Sequence, residues 1–460
     1  MKYLLTLLLC SCAGIGFAKD YFVSTSGNDK NPGTESQPWK SLLHACRSVS
    51  SNQGHRIILG EGTFTESGQC ILPEGVSLMG QGTEKTRLKG ASALWTYEFS
   101  GYQFEKYLIL VKGGKQRLHK FSIEGDNKKL HGGILIQDAA QVELDELDFS
   151  AIFYNSVWIW NSSYVTFHDS QIYDCSWGSS DWAGGAVHVG AVSDVELCEL
   201  QIEEIEQRKG NRGGGLGIKV LGPEGHAVER LIIRDCNIQV ADFGLWQNNK
   251  APNISIEFHN VLVKDCEVRK CTLNNTLSLV ADVGSEEPGN MRVLNNQIIC
   301  SGPASYPVEL SMHYVEVAYN DITPGNGGYV IVNWENKGVK YVNWNIHHNQ
   351  IESVASGWPS SVVCSRGGLD NLNFHHNRIS LSGPPVAIVA AYGSNESTGL
   401  RIWENEIVRK GKKKMETEPS RDWIVYSSQK EGVHLVKNVR ILNNSLEGFA
   451  KEVSQFVEMD

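Results

Sequence analysis

A six-residue phrase recurs down the second half of this chain. It reads Val293-Leu294-Asn295-Asn296-Gln297-Ile298 at its first clear occurrence. It returns around Asn320, as Asn345-Ile346-His347-His348-Asn349-Gln350-Ile351, and around Asn377, Asn405 and Asn444. The Asn two places before the Ile or Leu steps by 24, 29, 28, 28 and 39 residues. The same slot reads backwards as Cys266, Cys236, Leu200, Ser170, Leu147 and Phe121. A fixed period over most of a chain means stacked supersecondary units rather than one closed core. Short apolar strands at this period predict coils of three strands each. Every strand would pair with its equivalent one coil on, about 4.8 Å away.

The expected fold is therefore all-β, a parallel β-helix solenoid of about twelve coils. One position then becomes a column of like residues. An inward Asn at a bend can bond the next Asn and the bend's own backbone groups. Cys in that slot is a small apolar filler. Leucine-rich repeats share the period, but their LxxLxL frame is absent. Leu42, Leu43, Cys46 and Val49 have helical spacing, so Ser41 to Val49 is expected to form an N-terminal helical cap. The expected division is a leader over 1–18, the cap and irregular first coils over 19–110, and the solenoid over 111–460.

The leader has Lys2, an apolar run from Leu4 to Leu9, and the small-x-small site Gly16-Phe17-Ala18. Cleavage before Lys19 is expected, giving a secreted or periplasmic protein. Leu9-Cys10-Ser11-Cys12 also fits lipidation at Cys12, which would give an outer-membrane lipoprotein. No later stretch has the ~18 apolar residues of a membrane span. The net charge of −10 argues against a nucleic-acid partner. Of eleven cysteines, nine follow the leader, an odd number that disfavours a complete disulfide framework, although Cys46 and Cys70 could pair. No cysteine or histidine spacing specifies a metal. Asp and Glu on adjacent coils could hold calcium, and no other cofactor is implied.

Residues 21–41, from Tyr21-Phe22-Val23-Ser24 through Asn31-Pro32-Gly33-Thr34 to Pro38-Trp39-Lys40-Ser41, resemble the opening segment of secreted pectin-lyase-like β-helix proteins. Those read YYVSxxGxDxNPGTxxxPFKT. Gly60-Glu61-Gly62-Thr63-Phe64 is similar to their G-x-Y turn, with Phe for Tyr. The resemblance implies right-handed winding and a carbohydrate-active function, since the group includes polysaccharide lyases and glycoside hydrolases. It transfers no catalytic residue. The calcium-binding aspartates of pectate lyases are absent, as is the Asn-rich Lys…Arg signature of the chondroitinase and alginate lyase group.

Site residues are sought on one outward face. Aligning Leu277, Val308 and Val330 stacks Ser278 on Glu309 on Ile331, and Asp282 on His313 on Glu335, with Arg366 on the next coil. Two carboxylates two rungs apart suit hydrolysis with inversion. His313 between them could hold a sugar hydroxyl. A second cluster joins His188 and Lys219 to the loop carrying Arg208 and Arg212. There Lys219 or His188 would be the base of a lyase and an arginine would neutralise a uronate. Trp158, Trp160, Trp182, Trp246 and Trp334, with Gln247, are candidates to stack on or hold sugar rings. Trp344 and Trp403 are expected in the core. The leading expectation is an enzyme cleaving glycosidic bonds of a polysaccharide or oligosaccharide by hydrolysis. A β-eliminating lyase on a uronate-containing glycan and a non-catalytic glycan-binding solenoid are the alternatives.

Overall fold

The computed structural model describes residues 18–52, 54–91, 107–126, 130–176, 185–204, 216–221, 226–240, 254–281, 289–300, 306–325, 328–334, 339–354, 361–382, 387–392, 395–410, 422–427, 436–449 and 457–460. Short strands separated by bends wind as a coil. Val308–Ser311, Val315–Ala318 and Asp321–Thr323 make one turn of it. They pair in parallel with Tyr329–Asn333, Tyr341–His347 and Gln350–Val354 of the next. The chain is a parallel β-helix.

Alternation along each strand sends every second side chain into the bore. Val157, Val187, Ile218, Ile256, Leu277, Val308, Ile331, Val363 and Val389 lie in register on successive coils. All nine are buried in one continuous apolar cluster. Residues far apart in sequence are therefore stacked on their counterparts above and below.

One sharp bend in each coil has a fixed design. The residue before the repeat slot has positive φ: Asn295, Tyr319, His348, His376, Glu404 and Asn443 lie between 52° and 60°. Left-handed backbone costs a non-glycine residue about 1–2 kcal/mol. The slot residue offsets that strain. The Oδ1 of Asn349 accepts from the Asn320 backbone N–H and side-chain amide at 3.0 Å. Its Nδ2 donates to the carbonyls of Val317 and His347 and to Asn377 Oδ1. The ladder runs unbroken from Asn296 to Asn444.

Its backward continuation differs from the sequence reading at one coil. The Cys271 N–H donates to Asn296 Oδ1 at 2.9 Å. Cys266 instead pairs with Met291, elsewhere on the coil. The slot is thus Cys236, Cys271, Asn296. Two cysteines five residues apart are indistinguishable by period alone when loop lengths vary.

At the N-terminus, α1 (Leu42–Ser48) forms where the spacing predicts a helix. Ser41 caps it by accepting from the His44 N–H. Asp29 accepts from the N–H groups of Lys40 and Ser41. Buried Glu66 accepts from the N–H groups of Leu42 and Leu43, filling the helix's orphan donors with an anion. Coil stacking starts early: Asp20–Val23 pairs with Arg56–Leu59, and that strand with Ser77–Met79. Cys46 and Cys70 are buried free thiols. Trp344 is in the core as expected. Trp403 is not: it is half-buried and stacks on His375 outside the bore. Among the described residues no helix is long and apolar enough to cross a membrane.

Asn349→Ala orphans the buried Asn320 N–H and two carbonyls, so a loss of about 3 kcal/mol is expected. Cys271→Ala removes a small filler and its weak thiol hydrogen bonds to the Ile233 and Arg269 carbonyls, and is expected to cost about 1 kcal/mol. Urea unfolding followed by circular dichroism checks the order. Equal losses would mean that the ladder's hydrogen bonds contribute little.

Candidate functional site

The residue after each core residue forms a second column, on the outside of the same sheet. It runs Leu135, Trp158, His188, Lys219, Glu257, Ser278, Glu309, Val332, Cys364. Its ends are apolar or aromatic and its middle is polar. An outward strand position normally meets water. Here His188 and Lys219 are fully buried and Ser278 is 2% exposed. Buried charge is expensive unless paired, so such a column is a candidate functional site and not a solvated face.

Glu257 is the centre of the pairing. Lys219 Nζ lies 3.0 Å from its Oε2 and His259 Nδ1 lies 3.1 Å from its Oε1. His259 is two residues further along the strand and so shares the face. Burial alone would raise the Glu257 pKa. The His259 hydrogen bond and the Lys219 charge more than offset it and hold the carboxyl below its ordinary value. Two coils on, Glu309 has no cation in contact among the described residues. Burial pushes its pKa up to about 7, with repulsion from Glu257 adding to the rise. The Ser278 hydroxyl, donating to Glu309 Oε2 at 2.8 Å, restrains that rise.

Two carboxyls on one face therefore have opposite tendencies. Glu257 is a carboxylate at neutral pH and Glu309 holds a proton into that range. Two rungs put their backbones about 9 to 10 Å apart.

His188 lies at the other end of the polar run. Its ring stacks on Trp158 at 4.7 Å and 5°. Both ring nitrogens are buried, with no hydrogen-bond partner among the described residues. Burial, then the Lys219 charge, pulls its pKa down to about 3, so the ring is neutral. Past Glu309 comes an aromatic edge. Tyr306 meets Trp334 edge-on at 5.6 Å. The Arg366 guanidinium lies 4.9 Å over Trp334 and donates to the Tyr329 hydroxyl at 3.1 Å.

The structure rearranges the candidates from the sequence. Val308 pairs with Ile331, not Val330, so Glu309 faces Val332 and the hand alignment is one residue out on that coil. His313 is not in the column. It lies beyond its strand, and its Nδ1 accepts from the Val342 N–H at 3.2 Å. Asp282, Glu335, Arg208, Arg212, Trp182, Trp246 and Gln247 lie outside the described residues. Trp158 is fully buried, a wall for His188 and not an exposed platform. Trp160 is half-buried beside it. His188, Lys219 and Glu309 share the column, and Trp334 and Arg366 flank it. Glu257 and His259 are not among the sequence candidates, because variable loop lengths hide which segment forms that coil's strand. The strand is Ile254–Lys264, whose opening alternation of Ile254, Ile256 and Phe258 with Glu257 and His259 is the signal that could have found them.

Two groups of three possible metal ligands lie on a different face: Glu143, Asp145 and His168, and His119, Asp145 and Glu146. Asp145 belongs to both. Arg117 already holds it through two 2.8 Å hydrogen bonds. A guanidinium occupies the position a calcium ion would need, so these residues do not fit that ion.

Comparison with known proteins bears on the fold. A family model described as right handed beta helix region matches residues 107–298. One described as a protein of unknown function, DUF1565, matches residues 25–175. No curated protein is similar in sequence. Among solved structures, the tailspike gp61 of Pseudomonas phage phi297 superposes with a TM-score of 0.55 at 10% identity, over 84% of this chain and 74% of that one. The pectate lyase Pel9A gives 0.47 at 14% identity, over 75% and 82%. PfbA, a surface adhesin of Streptococcus pneumoniae, gives 0.46 at 10% identity, over 89% and 87%. The coil register, the ladder and the matched segment together show that the chain has the right-handed parallel β-helix fold.

Proposed function

We propose that the chain is a carbohydrate-active enzyme that hydrolyses glycosidic bonds with inversion. Glu309 is the general acid and Glu257 the general base. The observation that carries this reading is the pair itself: one carboxyl kept protonated by burial, one kept ionised by Lys219 and His259, two rungs apart on one face. Inverting glycosidases separate their carboxyls by ~6.5–9.5 Å to admit a water, whereas retaining ones use ~5–5.5 Å. In the reaction the Glu309 proton passes to the leaving oxygen. Glu257 takes a proton from the water that attacks the opposite face of the sugar. Trp160 and Trp334 offer faces for sugar rings on either side. Such a substrate is met outside the cell, where a leader over 1–18 would send the chain.

A lyase reading has one specific observation in its favour. Neutral His188 beside the Lys219 ammonium is a base next to a carboxylate-neutralising cation. Its depressed pKa makes it a weak base, and Lys219 is already paired with Glu257, so hydrolysis is preferred.

Glu257→Gln and Glu309→Gln are each expected to lower kcat about 10²- to 10⁴-fold on any glycan the protein turns over. Products should carry new reducing ends and no ultraviolet absorbance from a conjugated double bond. That absorbance would instead establish elimination. A glycan that binds but is never cleaved would leave only the binding solenoid.

The pH profile follows from Glu309. Activity should fall as pH rises through about 7, where the acid loses its proton. Ser278→Ala removes a hydrogen bond to the ionised form, so the alkaline limb should move to higher pH. Unchanged profiles would exclude Glu309 as the acid.

Stability should run with the same group. An acid whose pKa is raised on folding binds more protons folded than unfolded, so stability falls as pH climbs from the unfolded value through about 7. Glu309→Gln should therefore unfold at higher urea than wild type above pH 7 while being inactive. A lower midpoint at that pH would contradict the buried-acid assignment.

A further inference from the structure

The repeat phrase carries His-His on two consecutive coils, just before the ladder residues Asn349 and Asn377. The four rings form an ordered array outside the bore, away from the carboxylate column. His347 stacks on His375 at 4.9 Å and 6°, and His348 on His376 at 4.8 Å and 8°. Tyr319 stacks on His348 at 5.0 Å from one side, and Trp403 on His375 at 4.2 Å from the other. The ladder pins the backbone beneath, with His348 and His376 as the left-handed bend residues.

Within each coil the two rings meet through Nδ1. His347 Nδ1 lies 2.9 Å from His348 Nδ1, and His375 Nδ1 lies 2.8 Å from His376 Nδ1. Three of the four opposite nitrogens have oxygen partners. His376 Nε2 is 2.7 Å from Glu404 Oε2, His375 Nε2 is 3.2 Å from Asn345 Oδ1, and His347 Nε2 is 3.0 Å from Glu316 Oε1. An acceptor oxygen requires the hydrogen on Nε2. A neutral ring held this way turns a lone pair out at Nδ1. In the His375–His376 pair both rings are so held, and two lone pairs face each other at 2.8 Å. A cation shared by the two nitrogens satisfies that contact.

We propose that this array binds a first-row divalent metal ion of tetragonal preference, Cu2+ or Ni2+, through paired Nδ1 atoms. Metal–imidazole bonds of about 2.0–2.1 Å meeting at a right angle span about 2.9 Å between nitrogens. Both pairs already have that bite. Carboxylate and amide partners on Nε2 are the outer contacts that orient a histidine for a metal and raise its basicity. Imidazole is a ligand type suited to these ions, and the exposed side of His348 and His376 leaves room for water in the remaining positions. The pairs lie one rung apart, so the array takes one ion per pair.

Untagged full-length protein titrated with Cu2+, followed by electron paramagnetic resonance and calorimetry, tests this. Wild type should show nitrogen hyperfine coupling. The variant carrying both His375→Gln and His376→Gln should bind at least tenfold more weakly, and Glu404→Ala about tenfold more weakly with every imidazole retained. Glu309→Gln should bind as wild type, which separates this array from the hydrolytic site. Circular dichroism confirms that each variant is folded, and Glu404→Ala alone decides the matter if the double variant is not. A wild-type spectrum without nitrogen coupling, or equal affinity in all variants, overturns the proposal and leaves a shared proton as the cation.

Discussion

Backbone hydrogen bonding between coils is the constraint on which everything else in this molecule rests. Each strand pairs in parallel with its counterpart one turn on, so residues 20 to 40 positions apart are held in fixed register. A single inward valine becomes a column running from Val157 to Val389. The same rule puts side chains of one sign or one chemistry in line outside the bore. Function in such a molecule belongs to columns and not to segments.

The Asn ladder maintains that register where it is most easily lost. Each bend contains a left-handed non-glycine residue, which is unfavourable by itself. The buried Asn that follows accepts from one coil and donates to two, so the strain and the orphaned backbone groups are satisfied together. The bends then repeat closely enough for His348 and His376 to stack. A metal-binding array in this position would be a by-product of the same geometry that holds the coils in line.

The carboxylate column uses burial for a different end. Lys219 and Glu257 are both withdrawn from water, and a buried ion pair contributes little net stability because desolvation opposes its attraction. Glu309 is worse placed, with a hydroxyl for a partner and another carboxylate nearby. These residues make the fold less stable than an apolar column would. What they provide is a pair of carboxyls with separated pKa values, the arrangement that acid–base chemistry at one bond requires.

The period, the Asn slot, the apolar columns and the N-terminal helix were all legible in the residues, because each depends on a local pattern repeated many times. Ser278 next to Glu309 and His188 next to Lys219 were also legible, since their strands align without gaps. Glu257 was not, and neither was the displacement that sets Glu309 against Val332. Side chains alternate with a period of two, so one residue gained or lost in a bend moves a whole strand to the opposite face. Bend lengths vary from coil to coil in this chain, and nothing in the sequence states them. The sequence by itself determined that the chain must coil and that the Asn slot faces the bore. Only the tertiary structure decided which outward residues share a rung, because that depends on the backbone pairing between coils.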